Sequence, residues 1–243
     1  MRRALLALPF AAALLAGLAT GAGGVEGDLV DEGERLYRTG CISCHGEDGR
    51  DPRPGVPSLE LSGEASAHFY LSTGRMPAAD LGQAVRKPSP YNEEQIAALV
   101  AYVGSISEGP PIPEVDLDAS IQLGASLYLR NCASCHQASG GGGALSYGRN
   151  APGLRDATPV QVVEAMRIGP GQMPVFAEDS FTDEEASAIA RYVQYLHEPE
   201  DRGGFHLGRI GPVPEGFVAI GLGTGLCLLA ALWIGRRDGE EHA

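Results

Sequence analysis

The sequence predicts an all-α protein made of two tandem copies of one small helical domain, followed by a single C-terminal transmembrane helix. Three observations predict this. Five short features occur twice, in the same order. Apolar residues in both halves recur at helical spacing, and no stretch alternates as a half-buried strand would. Near the end, an uncharged run from Gly216 to Gly235 is long enough to span a bilayer.

The chain opens Met1-Arg2-Arg3 and is then uncharged from Ala4 to Val25. A basic start before an apolar run reads as an export signal, and Ala19, Gly21 and Ala22 offer cleavage sites. The same segment is long enough to stay in the membrane as an N-terminal anchor. Under either reading residues 1–25 stand apart, and the chain beyond them is exported.

The repeated unit begins with Gly33-Glu34-Arg35-Leu36-Tyr37-Arg38-Thr39-Gly40-Cys41-Ile42-Ser43-Cys44-His45. It returns as Gly124-Ala125-Ser126-Leu127-Tyr128-Leu129-Arg130-Asn131-Cys132-Ala133-Ser134-Cys135-His136. Downstream, Pro57-Ser58-Leu59 answers Pro152-Gly153-Leu154, and Gly74-Arg75-Met76-Pro77 answers Gly171-Gln172-Met173-Pro174. Tyr91-Asn92-Glu93-Glu94-Gln95 answers Phe181-Thr182-Asp183-Glu184-Glu185. Asn92 with Gln95, and Thr182 with Glu185, have capping-box spacing and predict helix starts. Ile96, Leu99, Val100 and Val103 then form one apolar face; Ile189, Tyr192, Val193 and Leu196 form the other. Glu108-Gly109-Pro110-Pro111-Ile112-Pro113 predicts a stiff, extended connector. The expected domains are therefore 28–107 and 118–198, joined by 108–117. A polar linker, 199–215, leads to the membrane helix at 216–235 and a tail at 236–243. Arg236 and Arg237 mark the cytoplasmic side of that helix, and Trp233 lies at interfacial depth. Gly221, Gly223 and Gly225 would let a second helix approach it, and Cys227 reads as a packing residue.

Composition narrows the function. A net charge of -13 over 243 residues removes the basic footprint that nucleic-acid binding needs. It suits a soluble part that docks to a basic protein surface. With 34 Gly, 17 Pro and 6% aromatic residues, each unit is small and loop-rich. Units of that size bury too little surface to hold long loops unaided. A large bound cofactor would order them.

The four cysteines of the repeats sit in two C-x-x-C pairs, each followed at once by histidine. A disulfide within each pair accounts for neither the histidine nor the methionine. A structural zinc site needs four ligands in a tetrahedron, and each pair belongs to its own complete repeat. A redox dithiol belongs near a βαβ pattern, which is absent. C-x-x-C-H is the attachment motif of c-type haem. Cysteines one helical turn apart share a face and can both form thioethers, with the adjacent histidine beneath the iron. Two covalent haems are thus expected, on Cys41 and Cys44 and on Cys132 and Cys135, with His45 and His136 as proximal ligands. Met76 and Met173 hold equivalent places and are the candidates for the second axial position, where methionine raises the potential. Met166, among Val162, Val163 and Ile168, reads as core. His68, the rival to Met76, has no counterpart in the second repeat and reads as surface or helix packing. His197, His206 and His242 read as solvated.

These stretches resemble the dihaem cytochrome c subunit of the actinobacterial cytochrome bcc (bc1-type) menaquinol complex. The resemblance rests on GRMPAAD at 74–80, RKPSPYNEEQIAALVAYV at 86–103 and NCASCHQASGGGGALSYGRNAPGL at 131–154. It continues through TPVQVVEAMRIGPGQMPVF at 158–176 and GGFHLGRIGPVPEGFVAIGLG at 203–223. It implies two class I cytochrome c domains, with Pro57 and Pro152 orienting the proximal histidines through their carbonyls. It also implies a relay of electrons from the Rieske iron–sulfur subunit, beside a cytochrome b subunit, to an aa3-type cytochrome c oxidase. The haem domains would lie on the extracytoplasmic side of the cell membrane. No independent catalytic site is expected. Rival readings are an anchored dihaem cytochrome serving another oxidase or dehydrogenase, a dihaem peroxidase with one iron open, and a haem sensor. The sensor lacks room for an output domain after Trp233.

Overall fold

In the computed structural model, which describes residues 27–79, 84–197 and 212–241, each half runs through four helices in the same order. The first half has α1 (27–40), α2 (Ile42–His45), α3 (Gly63–Ser72) and α4 (Glu93–Ile106). The second has α5 (Ile121–Asn131), α6 (Ala133–His136), α7 (Pro159–Ile168) and α8 (Asp183–His197). A single strand pair among the described residues, β1 (Gly143–Ala144) with antiparallel β2 (Asn150–Ala151), staples the long loop after α6.

The helix starts follow from local chemistry. Asn92 accepts from the Gln95 amide at 2.9 Å, and Gln95 accepts back from the Asn92 amide at 3.1 Å. Thr182 and Glu185 make the same reciprocal pair at 3.2 and 3.0 Å. A third box, Thr158 with Gln161, opens α7 with Pro159 in its first turn. Each such cap contributes about 1 kcal/mol.

Two cores result. Leu36 and Tyr37 of α1 pack on Ile96, Leu99 and Val103 of α4. Leu127 and Tyr128 of α5 pack on Ile189 and Val193 of α8, with Val163 and Met166 of α7 beneath. The equivalence reaches the backbone. A Cβ on Gly33 would lie 2.0 Å from the Ala98 carbonyl oxygen, and one on Gly124 would lie 1.9 Å from that of Ala188. Only glycine lets α1 cross α4, and α5 cross α8, at this separation.

The connector is held by more than proline stiffness. Its Pro110 carbonyl accepts from the Ala65 amide at 3.0 Å, and the Asp116 amide donates to Ser187 Oγ at 3.2 Å. It is thus pinned to both halves. The halves also touch directly through α3 and α7. Gln161 Nε2 donates to Ser72 Oγ at 3.0 Å, and His68 Nδ1 lies 2.6 Å from Glu164 Oε1. His68 therefore packs, as the sequence allows, but across the boundary between halves. His197 departs from expectation: it is half-buried rather than solvated, because α8 stays on the second core through its last turn. His206 and His242 lie outside the described residues, as do residues 1–25.

Glu164 is fully buried, and its Oε2 has no partner. Both members of its pair hold protons more tightly in the folded chain. For His68 the main cause is the hydrogen bond to Glu164; for Glu164 it is burial, which penalises the carboxylate. A raised folded pKa contributes stability that is full below the unfolded value, 6.5 for histidine, and is lost as pH rises through the folded value. The α3–α7 contact is therefore expected to weaken above neutrality. Limited proteolysis of the 108–117 connector should accelerate as the pH is raised from below 6.5 through the raised histidine pKa, and His68→Gln should flatten that profile. Equal cleavage rates across the range, corrected for the protease's own profile, would count against the latch.

The last helix, α9 (Pro212–Glu241), contains the segment Glu215–Gly235, with mean hydropathy 2.2 and none of it buried. It is the one helix among the described residues long and apolar enough to cross a membrane. Phe217, Leu222, Leu226, Leu229 and Ile234 are all exposed along it. Such a surface needs a hydrocarbon environment.

Candidate functional site

The two C-x-x-C-H turns have the same hydrogen bonding. Cys41 donates to the Tyr37 carbonyl at 2.8 Å, and Cys44 and His45 both donate to the Cys41 carbonyl, at 3.1 and 3.0 Å. Cys132 donates to the Tyr128 carbonyl at 2.8 Å, and Cys135 and His136 to the Cys132 carbonyl, at 3.1 and 2.9 Å. Each motif is thus one helical turn, which brings its two thiols to one side and places histidine at its end.

Tyrosine fixes the exit from that turn. Tyr37 Oη donates to the Gly46 carbonyl at 2.8 Å, and Tyr128 Oη donates to the Gln137 carbonyl at 2.7 Å. In both cases the acceptor residue directly follows the motif histidine. Each tyrosine ring also packs on an aromatic partner from the last helix of its half, Tyr102 at 5.1 Å and Tyr192 at 5.4 Å. Burial pushes the Tyr37 hydroxyl up to about 12, so it remains a donor at all ordinary pH. These tyrosines were legible as part of the repeat, but their role was not. The available signal was the Leu-Tyr pair shortly before each first cysteine.

No disulfide joins the four motif cysteines. Burial, then the partner cysteine, pushes Cys41 and Cys132 up to about 11. Reactive dithiols have the opposite shift, toward the thiolate. Among the described residues the cysteines do not converge on any cluster of three or more metal-ligating groups, so a shared zinc site has no geometric basis. His136 is nearly buried, and its Nδ1 lies 3.0 Å from the Pro152 carbonyl. That bond makes Nδ1 the donor and leaves the Nε2 lone pair for a metal. His45 Nδ1 is buried without a well-formed hydrogen bond, although the Pro57 carbonyl favours its protonated form. Burial outweighs that carbonyl in both halves and lowers both histidine pKa values. Each ring is then neutral near pH 7, as a ligand must be.

Met76 is half-buried and packs against the first core, as do Cys41, Ile42 and Leu59. Met173 packs against the second core, as do Cys132, Ala133 and Leu154. Met166 is 2% exposed and belongs to the core itself, as its neighbours in the sequence predict. Each half therefore carries a C-x-x-C-H turn whose first cysteine, together with a methionine, packs at the border of an apolar cluster, and in the second half a carbonyl also orients the imidazole. That donor set fits a covalently held haem with its ring against the cluster.

Paired helical units with this site define a c-type cytochrome, and the comparisons with known proteins agree. A family model described as cytochrome c matches residues 30–107, and one described as cytochrome c oxidase, cbb3-type, subunit III matches residues 119–193. The cytochrome bc1 complex cytochrome c subunit of Mycobacterium leprae is 39% identical over 220 residues, covering 86% of this chain and 76% of that protein. Its counterpart in Corynebacterium diphtheriae is 35% identical over 230 residues, covering 86% and 82%. Among solved structures, reduced recombinant cytochrome c4 from Pseudomonas stutzeri aligns with a TM-score of 0.26 and 23% identity, over 69% of this chain and 98% of that one. The chain belongs to the family of cytochrome c subunits of the cytochrome bc1 complex. It is an electron-transfer cytochrome with covalently bound haem c and a C-terminal membrane anchor.

Proposed function

We propose that the chain carries two haems and relays electrons from the Rieske subunit of a menaquinol-oxidising complex to an aa3-type terminal oxidase. Domains 28–107 and 118–198 each hold one group. His45 with Met76, and His136 with Met173, are the axial pairs. The observation that carries this reading is the duplication of the whole site: the same turn, the same tyrosine clamp and the same methionine position occur twice. Bound haem iron would supply a one-electron couple. The protein's part is to attach it through four thiols, orient each imidazole, and seat the ring against an apolar cluster that excludes water. If His45 with Met76 and His136 with Met173 hold the two groups, each would lack an open position for substrate, which favours relay over peroxidase chemistry.

Sidedness follows from charge. Arg236 and Arg237 lie on the cytoplasmic side of α9 and the haem units outside. The anchor keeps those units beside a cytochrome b and a Rieske subunit, and tethering gives an effective concentration on the order of millimolar for short linkers. Removing residues 216–243 is expected to yield a soluble, haem-loaded protein that supports quinol-driven oxygen consumption poorly. Full respiration by the truncated chain at native abundance would favour a second reading, an anchored carrier that serves a different oxidase. The match of residues 119–193 to a cbb3-type oxidase subunit model is what keeps that reading in play.

A further inference from the structure

Arg167 is almost buried although it carries a charge. It lies in the last turn of α7, and its side chain is 9% exposed. Burying a guanidinium is costly unless its donors are satisfied. Here Nη1 donates to the Phe176 carbonyl at 3.0 Å and to the Phe181 carbonyl at 2.9 Å, and Nη2 donates to Asp183 Oδ1 at 2.6 Å. These acceptors lie 9, 14 and 16 residues ahead, so the fork does not cap its own helix. It ties the loop that leaves α7 to the start of α8.

That loop carries Met173. It leaves α7 through Gly169, whose φ of 59° is left-handed, and is then held at Phe176 from both sides. The Phe176 amide donates to the Met166 carbonyl at 2.8 Å, and the Phe176 carbonyl accepts from Arg167. Met173 lies between these fixed points, and its own amide donates within the loop, to the Pro170 carbonyl at 3.2 Å. The first half differs. There the Met76 amide donates straight to the Tyr70 carbonyl of α3 at 3.0 Å. Tyr70 stands at the repeat position of Arg167, each preceding its methionine by 6 residues (76 − 70 and 173 − 167). One methionine is thus bonded to its helix through its own backbone, while the loop of the other is held by a side chain. A guanidinium suits that task, because its planar fork of donors reaches several acceptors at once. We propose that Arg167 is the positioning residue for Met173: its fork fixes the 169–181 loop so that the thioether stays at the sixth position of the second haem. This rests on the reading of Met173 as an axial ligand above.

The test uses full-length, haem-loaded protein in detergent, with imidazole as a competing ligand. Groups that orient a metal ligand from outside change metal affinity about 10- to 100-fold. Arg167→Gln should therefore let imidazole displace the thioether at about 10- to 100-fold lower concentration. It should also weaken the far-red absorption band of thioether-ligated ferric haem and lower one potential in optical redox titration. Arg167→Lys, which keeps the charge but not the fork, should lie between Arg167→Gln and wild type. In a Met173→Ala background, whose second iron would already be open, Arg167→Gln should leave imidazole affinity unchanged. An arginine that only supports the fold would disturb the site there too. Wild-type imidazole affinity and band in Arg167→Gln would overturn the assignment, as would an equal effect with Met173 already removed. Should Arg167→Gln load haem poorly, Arg167→Lys decides alone, and wild-type imidazole affinity in it would overturn the assignment likewise. A Met173→Ala protein with an undiminished band and unchanged imidazole affinity would instead sink the axial reading on which the proposal rests, before any Arg167 variant is made.

Discussion

Alanine at both Cys132 and Cys135 is expected to halve the covalent haem per chain, and alanine at Cys41 and Cys44 to do the same. Each pair lies in its own helical turn, held by bonds to its own tyrosine and cysteine carbonyls. Neither turn uses a residue of the other half, so loss of one thioether pair leaves the other site built. Haem staining on denaturing gels, with haem-to-protein ratios of acid-acetone-extracted protein, reads the result. No loss in either variant, or complete loss in both, would contradict independent attachment. In the same series, Met173→His should keep both haems and lower one potential, because methionine opposite histidine raises it. Axial ligands spread haem potentials over about 0.8 V, so the drop is well within reach of titration. An unchanged value would move the sixth ligand of the second site elsewhere, with Met166 the first candidate.

The second large effect concerns two glycines. Gly124→Ala is expected to destabilise the second half strongly, since its Cβ would overlap the Ala188 carbonyl oxygen at 1.9 Å. The atom in the way is backbone within a packed helix, so no side-chain rotation relieves it. Separating α5 from α8 would also strip packing from Leu127, Tyr128, Ile189 and Val193, all nearly or fully buried. Overpacking of this kind costs about 1–3 kcal/mol, occasionally more. Gly33→Ala should behave alike in the first half, where the overlap is 2.0 Å. Gly223→Ala is the control, with nothing within 4 Å of the added carbon. Denaturant midpoints followed by helical circular dichroism should fall for the first two and stay put for the third. A Gly124→Ala midpoint equal to wild type would mean that the helices are not in backbone contact.

Much of this was legible in the sequence because it is local. The capping boxes at Asn92 and Thr182 were written in residues three apart, and both form. Ile96, Leu99, Val100 and Val103 were expected on one face, and all four are buried. The chemistry of the site was legible for the same reason, since one turn of helix brings a C-x-x-C pair together whatever surrounds it. Other roles were not. Gly33 and Gly124 stood in the repeat, yet nothing in their neighbours says that another helix passes over them. His197 was placed in solvent because it ends an amphipathic helix, and the continued packing of α8 half-buries it.

By itself, then, the sequence determined that a C-x-x-C-H turn with a following methionine recurs twice, that both halves are helical, and which segment suits a membrane. Those properties depend on covalent spacing, on periodicity and on composition, all of which act over a few residues. Tertiary structure alone decided that His68 meets a buried Glu164 across 96 residues, that Tyr37 and Tyr128 clamp the turns after the motif histidines, and that the Arg167 fork reaches Phe176 and Phe181. Such meetings are set by how α3 and α7 pack and where their flanking loops run. Burial and shape drive that packing without direction, so no local pattern in the chain encodes which polar groups will be carried together by it.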